Sequence, residues 1–94
     1  MIYRFEWDRS KAAANVRKHS VSFEEARSIF YDQLSLTKYD EKNSNYEERF
    51  VSIGFSERGR LLIFAHADEG DIVRIIIART PTRIEANQYT NRGY

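Results

Sequence analysis

Three apolar runs follow one another between Glu48 and Ala78, and only two short glycine-bearing breaks separate them. Phe50, Val51, Ile53 and Phe55 mark the first run. Leu61 to Ala67 (LLIFAHA) is the second and Ile72 to Ala78 (IVRIIIA) the third. β-branched and aromatic residues at this density favour extended backbone. Arg58-Gly59 and Glu69-Gly70 stand where tight hairpins need a residue that tolerates positive φ. This part of the chain is therefore committed to an antiparallel meander. The last two runs are apolar almost throughout, which suits strands covered on both faces or set in the middle of a sheet.

The flanks read as helices and two further strands. Ile2 or Tyr3 through Glu6 is short and aromatic, an opening strand. Asp8 follows as a helix N-cap for Lys11 to His19. On that helix Ala12, Val16 and His19 share the core-side stripe, and Lys11, Asn15 and Lys18 the opposite one. Ser22-Phe23-Glu24-Glu25 is a capping box that starts a second helix running to about Tyr31, with Phe23, Ala26, Ile29 and Phe30 on its apolar face. Leu34 to Tyr39 alternates weakly as a strand, and Asp40 to Tyr46 is a polar loop. After Pro81, Thr82-Arg83-Ile84-Glu85 is a second capping box, opening a helix from Arg83 to about Thr90. The order β-α-α-β-β-β-β-α predicts an α+β fold, with the helices packed on one face of a mainly antiparallel sheet. Its 94 residues form one domain, 1–94.

Several chemistries lack their residues. There is no cysteine, so disulfides and thiolate metal sites are out. The two histidines, His19 and His66, lie in different elements, and neither an H-x-x-x-H nor a D-x-D pattern occurs, so no metal or other cofactor is expected. No glycine-rich phosphate loop and no G-x-S-x-G elbow appears. No apolar run approaches the ~20 residues that span a bilayer, and the start lacks the apolar core of a signal peptide, so the expected location is the cytoplasm. Net charge is +1, but it is unevenly spread. Residues 1–30 hold six basic side chains against four acidic, and residues 71–94 four basic against Asp71 and Glu85. If the two ends meet in space, a basic face able to hold phosphates results.

Arg49, Arg60, His66, Arg74 and Arg79 lie on or beside the strands. Arginine's planar fork suits a phosphodiester, and histidine suits proton transfer near neutral pH. Each also has a plainer use. Arg60 follows a turn glycine, and His66 fits a hydrogen-bonded structural histidine. Arg74, inside an apolar strand, requires an acidic partner such as Glu48, an anion, or a sheet edge. Arg74 and Arg79 are five apart, which puts them on opposite faces of a regular strand unless the strand bulges or ends first. The face of His66 is left open. Lys18-His19 is accounted for by cations favouring a helix C-terminus.

FEWDRSKAAANVRKHSVSFEEA, ERFVSIGFS and GRLLIFAHADEGDIVRIIIART with TRIE resemble the BrnT toxins of type II toxin–antitoxin modules, from Phe5 to Glu85. The resemblance implies a RelE-like fold and a metal-independent ribonuclease that inhibits translation, leaving a 2′,3′-cyclic phosphate and a 5′-hydroxyl. It implies a hetero-oligomer with a BrnA-like antitoxin, which alone would contact operator DNA. Carried over by residue, it makes Arg79, Arg60 and His66 the catalytic candidates, and Lys18, His19, Arg74 and Arg49 the RNA-binding ones. One departure is Ile77, where many members of the family have serine. A catalytically weak module that serves to bind the antitoxin in an autorepressor is the competing expectation.

Overall fold

The computed structural model describes residues 3–92. Five strands form one sheet: β1 (Arg4–Glu6), β2 (Leu36–Tyr39), β3 (Arg49–Phe55), β4 (Leu61–Glu69) and β5 (Ile72–Arg79), in the order β1-β5-β4-β3-β2. β2 to β5 are antiparallel neighbours, and β1 pairs parallel with β5. The nearly continuous apolar run LLIFAHA lies in β4, the central strand, with β3 and β5 as its neighbours. The hairpin glycines Gly59 and Gly70 take φ of +79° and +61°. The expected opening strand begins at Arg4, and Ile2 lies outside the described residues.

Helix α1 spans Arg9–His19, with the Asp8 carboxylate accepting from the Lys11 amide at 3.0 Å. It ends on Ser20, in the left-handed region at φ +57°. Its inward stripe corrects the sequence reading. Ala12, Asn15 and His19 face in, while Val16 is exposed. Asn15 is buried because its amide replaces backbone partners: Nδ2 donates to the carbonyls of Val21 and Ala78, and Oδ1 accepts from the Ala78 amide. A polar side chain thus joins α1, the turn after it and the end of β5, and an amide can do that where a valine cannot.

Helix α2 is short, Phe23–Arg27, and continues as a 3-10 turn from Ser28 to Tyr31. The Ser22 hydroxyl accepts from the Glu25 amide, but the Glu25 carboxylate is used elsewhere. Val21, Phe23, Ala26 and Ile29 pack with Leu62, Phe64, Ile75 and Ala78 to form the main core. Helix α3 (Arg83–Thr90) opens on the complete Thr82–Glu85 capping box. Its Tyr89 packs with Ile53 and Ile63, and Ile63 stands on β4 between Leu62 and Phe64 of the main core, so it faces the opposite side. So α1 and α2 cover one sheet face and α3 a corner of the other, in place of the single covered face expected.

Asp32 ties these layers together. Its carboxylate accepts from the amides of Leu34 and Phe55 and from the Tyr89 hydroxyl. Gly54 sits beneath it, where a Cβ would lie 2.8 Å from Ile29 Cγ2 and 2.9 Å from Ser35 Cβ. Gly54→Ala is expected to cost about 1–3 kcal/mol by overpacking, read as a lower urea midpoint at unchanged m-value. No helix among the described residues is long and apolar enough to cross a membrane.

Candidate functional site

One irregularity in β5 arranges the arginines. Ala65 pairs with Ile77, but His66 pairs with Ile75, so Ile76 is an extra residue. A bulge of this kind resets the alternation of faces. Arg74 and Arg79, five apart, therefore lie on the same face. Arg74 lies opposite Ala67, which also pairs with Arg49, and Arg79 lies opposite Ile63. Lys38 joins this face through its pairing with Val51. This is the sheet face that α3 covers only at one corner.

Arg79 is the best-placed cation on it. It lines a groove of about 490 Å³ between β2 and α3, together with Lys38, Lys42, Glu85 and Gln88. It also borders a neighbouring hollow whose floor includes Val51, Ala65 and Ile77. Ile77 is 38% exposed, an apolar side chain where a serine was the alternative. The Arg79 guanidinium grips Glu85 with two parallel bonds, Nη1 to Oε1 at 2.7 Å and Nη2 to Oε2 at 2.9 Å. That grip, helped by the Thr82 amide, holds the Glu85 carboxyl down at about 2. At the other end of the face, Arg74 donates to both oxygens of Glu47 at 2.6 and 2.8 Å, and Arg49 shares the same carboxylate. The acid that satisfies Arg74 is Glu47, one residue before the partner suggested by sequence.

The remaining candidates lie elsewhere. Arg60 reaches across to α2: Nε and Nη2 donate to Glu25 at 2.8 and 2.6 Å, and Nη2 also to the Ser20 carbonyl. The Glu25 side chain is only 3% exposed and also accepts from Ser56 at 2.7 Å. The hydrogen bonds from Arg60 hold its carboxyl below the ordinary value despite burial. Lys18 is exposed at the end of α1, close in sequence to the Ser20 carbonyl that Arg60 grips. His19 beside it is half-buried, and its Nε2 is enclosed without a hydrogen-bond partner. Both residues belong to the layer on the other side of the sheet from Arg79.

His66 is fully buried on that other side too. Phe30, Phe50 and Phe64 surround its ring, at centroid distances of 5.4, 5.9 and 4.8 Å. Its Nδ1 lies 2.5 Å from Asp68 Oδ1, and its Nε2 2.8 Å from Ser52 Oγ, which in turn meets Thr37 Oγ1 at 2.6 Å. A carboxylate only accepts, so Nδ1 carries the proton, and the neutral ring accepts from Ser52. Burial pushes the imidazole below 6.5, with Asp68 opposing the shift. Sealed in this way, the ring holds β2, β3 and β4 together and touches no open surface.

His66 also sets a pH dependence. Its folded value lies below the unfolded 6.5, so its contribution is complete above pH 6.5 and falls as the unfolded chain takes up a proton below it. The melting temperature is expected to drop between pH 7 and 5. His66→Gln is expected to flatten that slope while lowering stability throughout.

Sequence reasoning missed Lys38, Lys42, Gln88 and Glu47. The alternation of β2 was the one available signal, since it sets Lys38 opposite Thr37 in facing. Among the described residues, no group of three or more His, Cys, Asp or Glu side chains is placed to hold a metal ion.

A family model described as the ribonuclease toxin BrnT of type II toxin–antitoxin systems matches residues 7–85. The chain belongs to the BrnT family. The match runs from Trp7 to Glu85, and so takes in the bulge and the Arg79–Glu85 pair. The crystal structure of the Brucella abortus ribonuclease toxin BrnT superposes with a TM-score of 0.62 at 17% identity, covering 86% of this chain and 99% of that one. It confirms the α+β fold of the BrnT chain described here. No curated protein matches the sequence.

Proposed function

We propose that the chain is a cytoplasmic, metal-independent endoribonuclease that binds RNA across the open sheet face and is neutralised by a BrnA-like antitoxin. The family is that of the ribonuclease toxins of type II toxin–antitoxin systems. The observation that carries the finer reading is the bulge at Ile76, which brings Arg74 and Arg79 onto one face with Arg49 and Lys38. Cations spaced along an exposed, partly apolar surface fit a single-stranded polyphosphate chain. RNA supplies its own nucleophile, the 2′-hydroxyl. The protein then has to align it, neutralise the phosphate and move protons.

In this reading Arg79 holds the scissile phosphate, and Arg74, Arg49 and Lys38 hold its neighbours. Arg60 and His66 act as positioning residues through Glu25 and through the Ser52–Thr37 chain. Lys18 and His19 form a separate basic surface for the antitoxin or for flanking RNA. Inducible expression of the chain alone should arrest growth, and co-expression of the neighbouring partner should relieve it. Undisturbed growth with abundant folded protein would count against a nuclease. It would favour the second reading, a module that binds an antitoxin in a DNA-binding repressor. Ile77, apolar and exposed between Arg74 and Arg79 on β5, is the feature that favours that alternative.

A further inference from the structure

We propose that Glu85 is the general base of this site, held on the Arg79 guanidinium until an RNA phosphate displaces it. The inference rests on the ribonuclease reading and adds to it both a residue and an order of events. Two parallel bonds of 2.7 and 2.9 Å fill the same fork that a phosphodiester would take. In the resting chain the carboxylate therefore stands in for the substrate. A phosphate of the same charge and forked geometry can replace it, and Glu85 is then left beside the bound phosphate, within reach of the adjacent 2′-hydroxyl.

Displacement also corrects the basicity. Gripped by Arg79, Glu85 titrates at about 2, too low for efficient proton removal at neutral pH. Once released it moves back toward 4.5 and becomes a stronger base. Lys38 and Lys42, with Asp40 and Glu41, are the charged groups facing it across the groove. The two carboxylates there push the value of a freed Glu85 up and the two lysines push it down. In the step itself the Glu85 carboxylate takes the 2′-hydroxyl proton, and the 2′-oxygen bonds to phosphorus. The bond from phosphorus to the 5′-oxygen breaks, and that oxygen takes a proton from water. Glu85 returns its proton to solvent and closes again on Arg79.

Glu85→Gln separates this role from a structural one. Glutamine still accepts from the Thr82 amide, so the capping box and the helix persist. The probe is a labelled single-stranded RNA with EDTA present, and affinity is read on the 2′-deoxy analogue, which lacks the nucleophile. The variant is expected to cleave at least ~100-fold more slowly, to bind the analogue as tightly as wild type or more tightly, and to lose the acidic limb of the kcat profile. In wild type that limb should lie at higher pH in kcat, where phosphate occupies Arg79, than in kcat/KM, where Glu85 does. A variant that cleaves within a few-fold of wild type and keeps the acidic limb removes Glu85 from the chemistry and leaves the ribonuclease reading standing. A wild-type chain that does not cleave overturns both.

Discussion

Arg60→Ala is expected to destabilise the protein by about 3–5 kcal/mol, the cost of leaving a buried carboxylate without its cation. The Glu25 side chain is 3% exposed and relies on two guanidinium bonds from Arg60. Ser56 remains as a donor, but one hydroxyl does not neutralise a charge. Arg58 approaches only to 3.9 Å from a largely exposed position. The Ser20 carbonyl, at the left-handed end of α1, loses its partner as well. Domains of this size are stable by roughly 5–15 kcal/mol, so much of the total is at stake. The readout is the urea midpoint. The double variant Arg60→Ala with Glu25→Gln should recover part of the loss, because the uncompensated charge is gone. An Arg60→Ala chain with an unchanged midpoint would free Arg60 from its structural role and return it to the list of residues that meet RNA.

Arg79→Ala should behave in the opposite way. The side chain is about one-third exposed, and its ion pair with Glu85 lies at the rim of an open groove. Pairs of that kind contribute about 0–1 kcal/mol, so the melting temperature should barely move. RNA cleavage is expected to fall by about 10²–10³, the scale for losing one preorganised donor to a developing charge. Acid acts on this pair as it does on the Arg60–Glu25 pair, whose carboxyl is depressed too. The Glu85 carboxyl is depressed from 4.5 to about 2, so its contribution to stability is complete above pH 4.5 and disappears as pH falls through 2. Arg79→Ala removes the largest cause of that depression, while the Thr82 hydrogen bonds remain, so the variant should lose less stability in acid than the wild-type chain does. Circular dichroism melts and single-turnover cleavage on the same preparations measure both effects.

What could be read from sequence followed period and punctuation. The meander, its two glycine hairpins, the N-caps at Asp8 and Ser22 and the Thr82–Glu85 box all depend on neighbours within a few residues, and all are present. Three features depended on contacts far apart in the chain. Asn15 looked like a solvent-side polar residue because its value lies in the Ala78 backbone, 63 residues away. His66 fitted proton transfer by type, yet Phe50 from the neighbouring strand and Phe30 from the turn after α2 join Phe64 of its own strand to seal it. Arg74 and Arg79 share a face only because Ile76 is an extra residue, and nothing in a run of four apolar side chains marks which one bulges. The Glu85 carboxylate was legible as a cap, whereas its second use on Arg79 required the strand end and the helix start to meet.

The most direct test is cleavage of a labelled single-stranded RNA by the purified chain in EDTA, with Arg79→Ala beside it. The account predicts fragments ending in 2′,3′-cyclic phosphate and 5′-hydroxyl from the wild-type chain, and almost none from the variant at equal fold stability. Intact RNA after incubation with folded wild-type chain, with ribosomes present as well as absent, would contradict it. Equal cleavage by the two proteins would place the chemistry somewhere other than the open face.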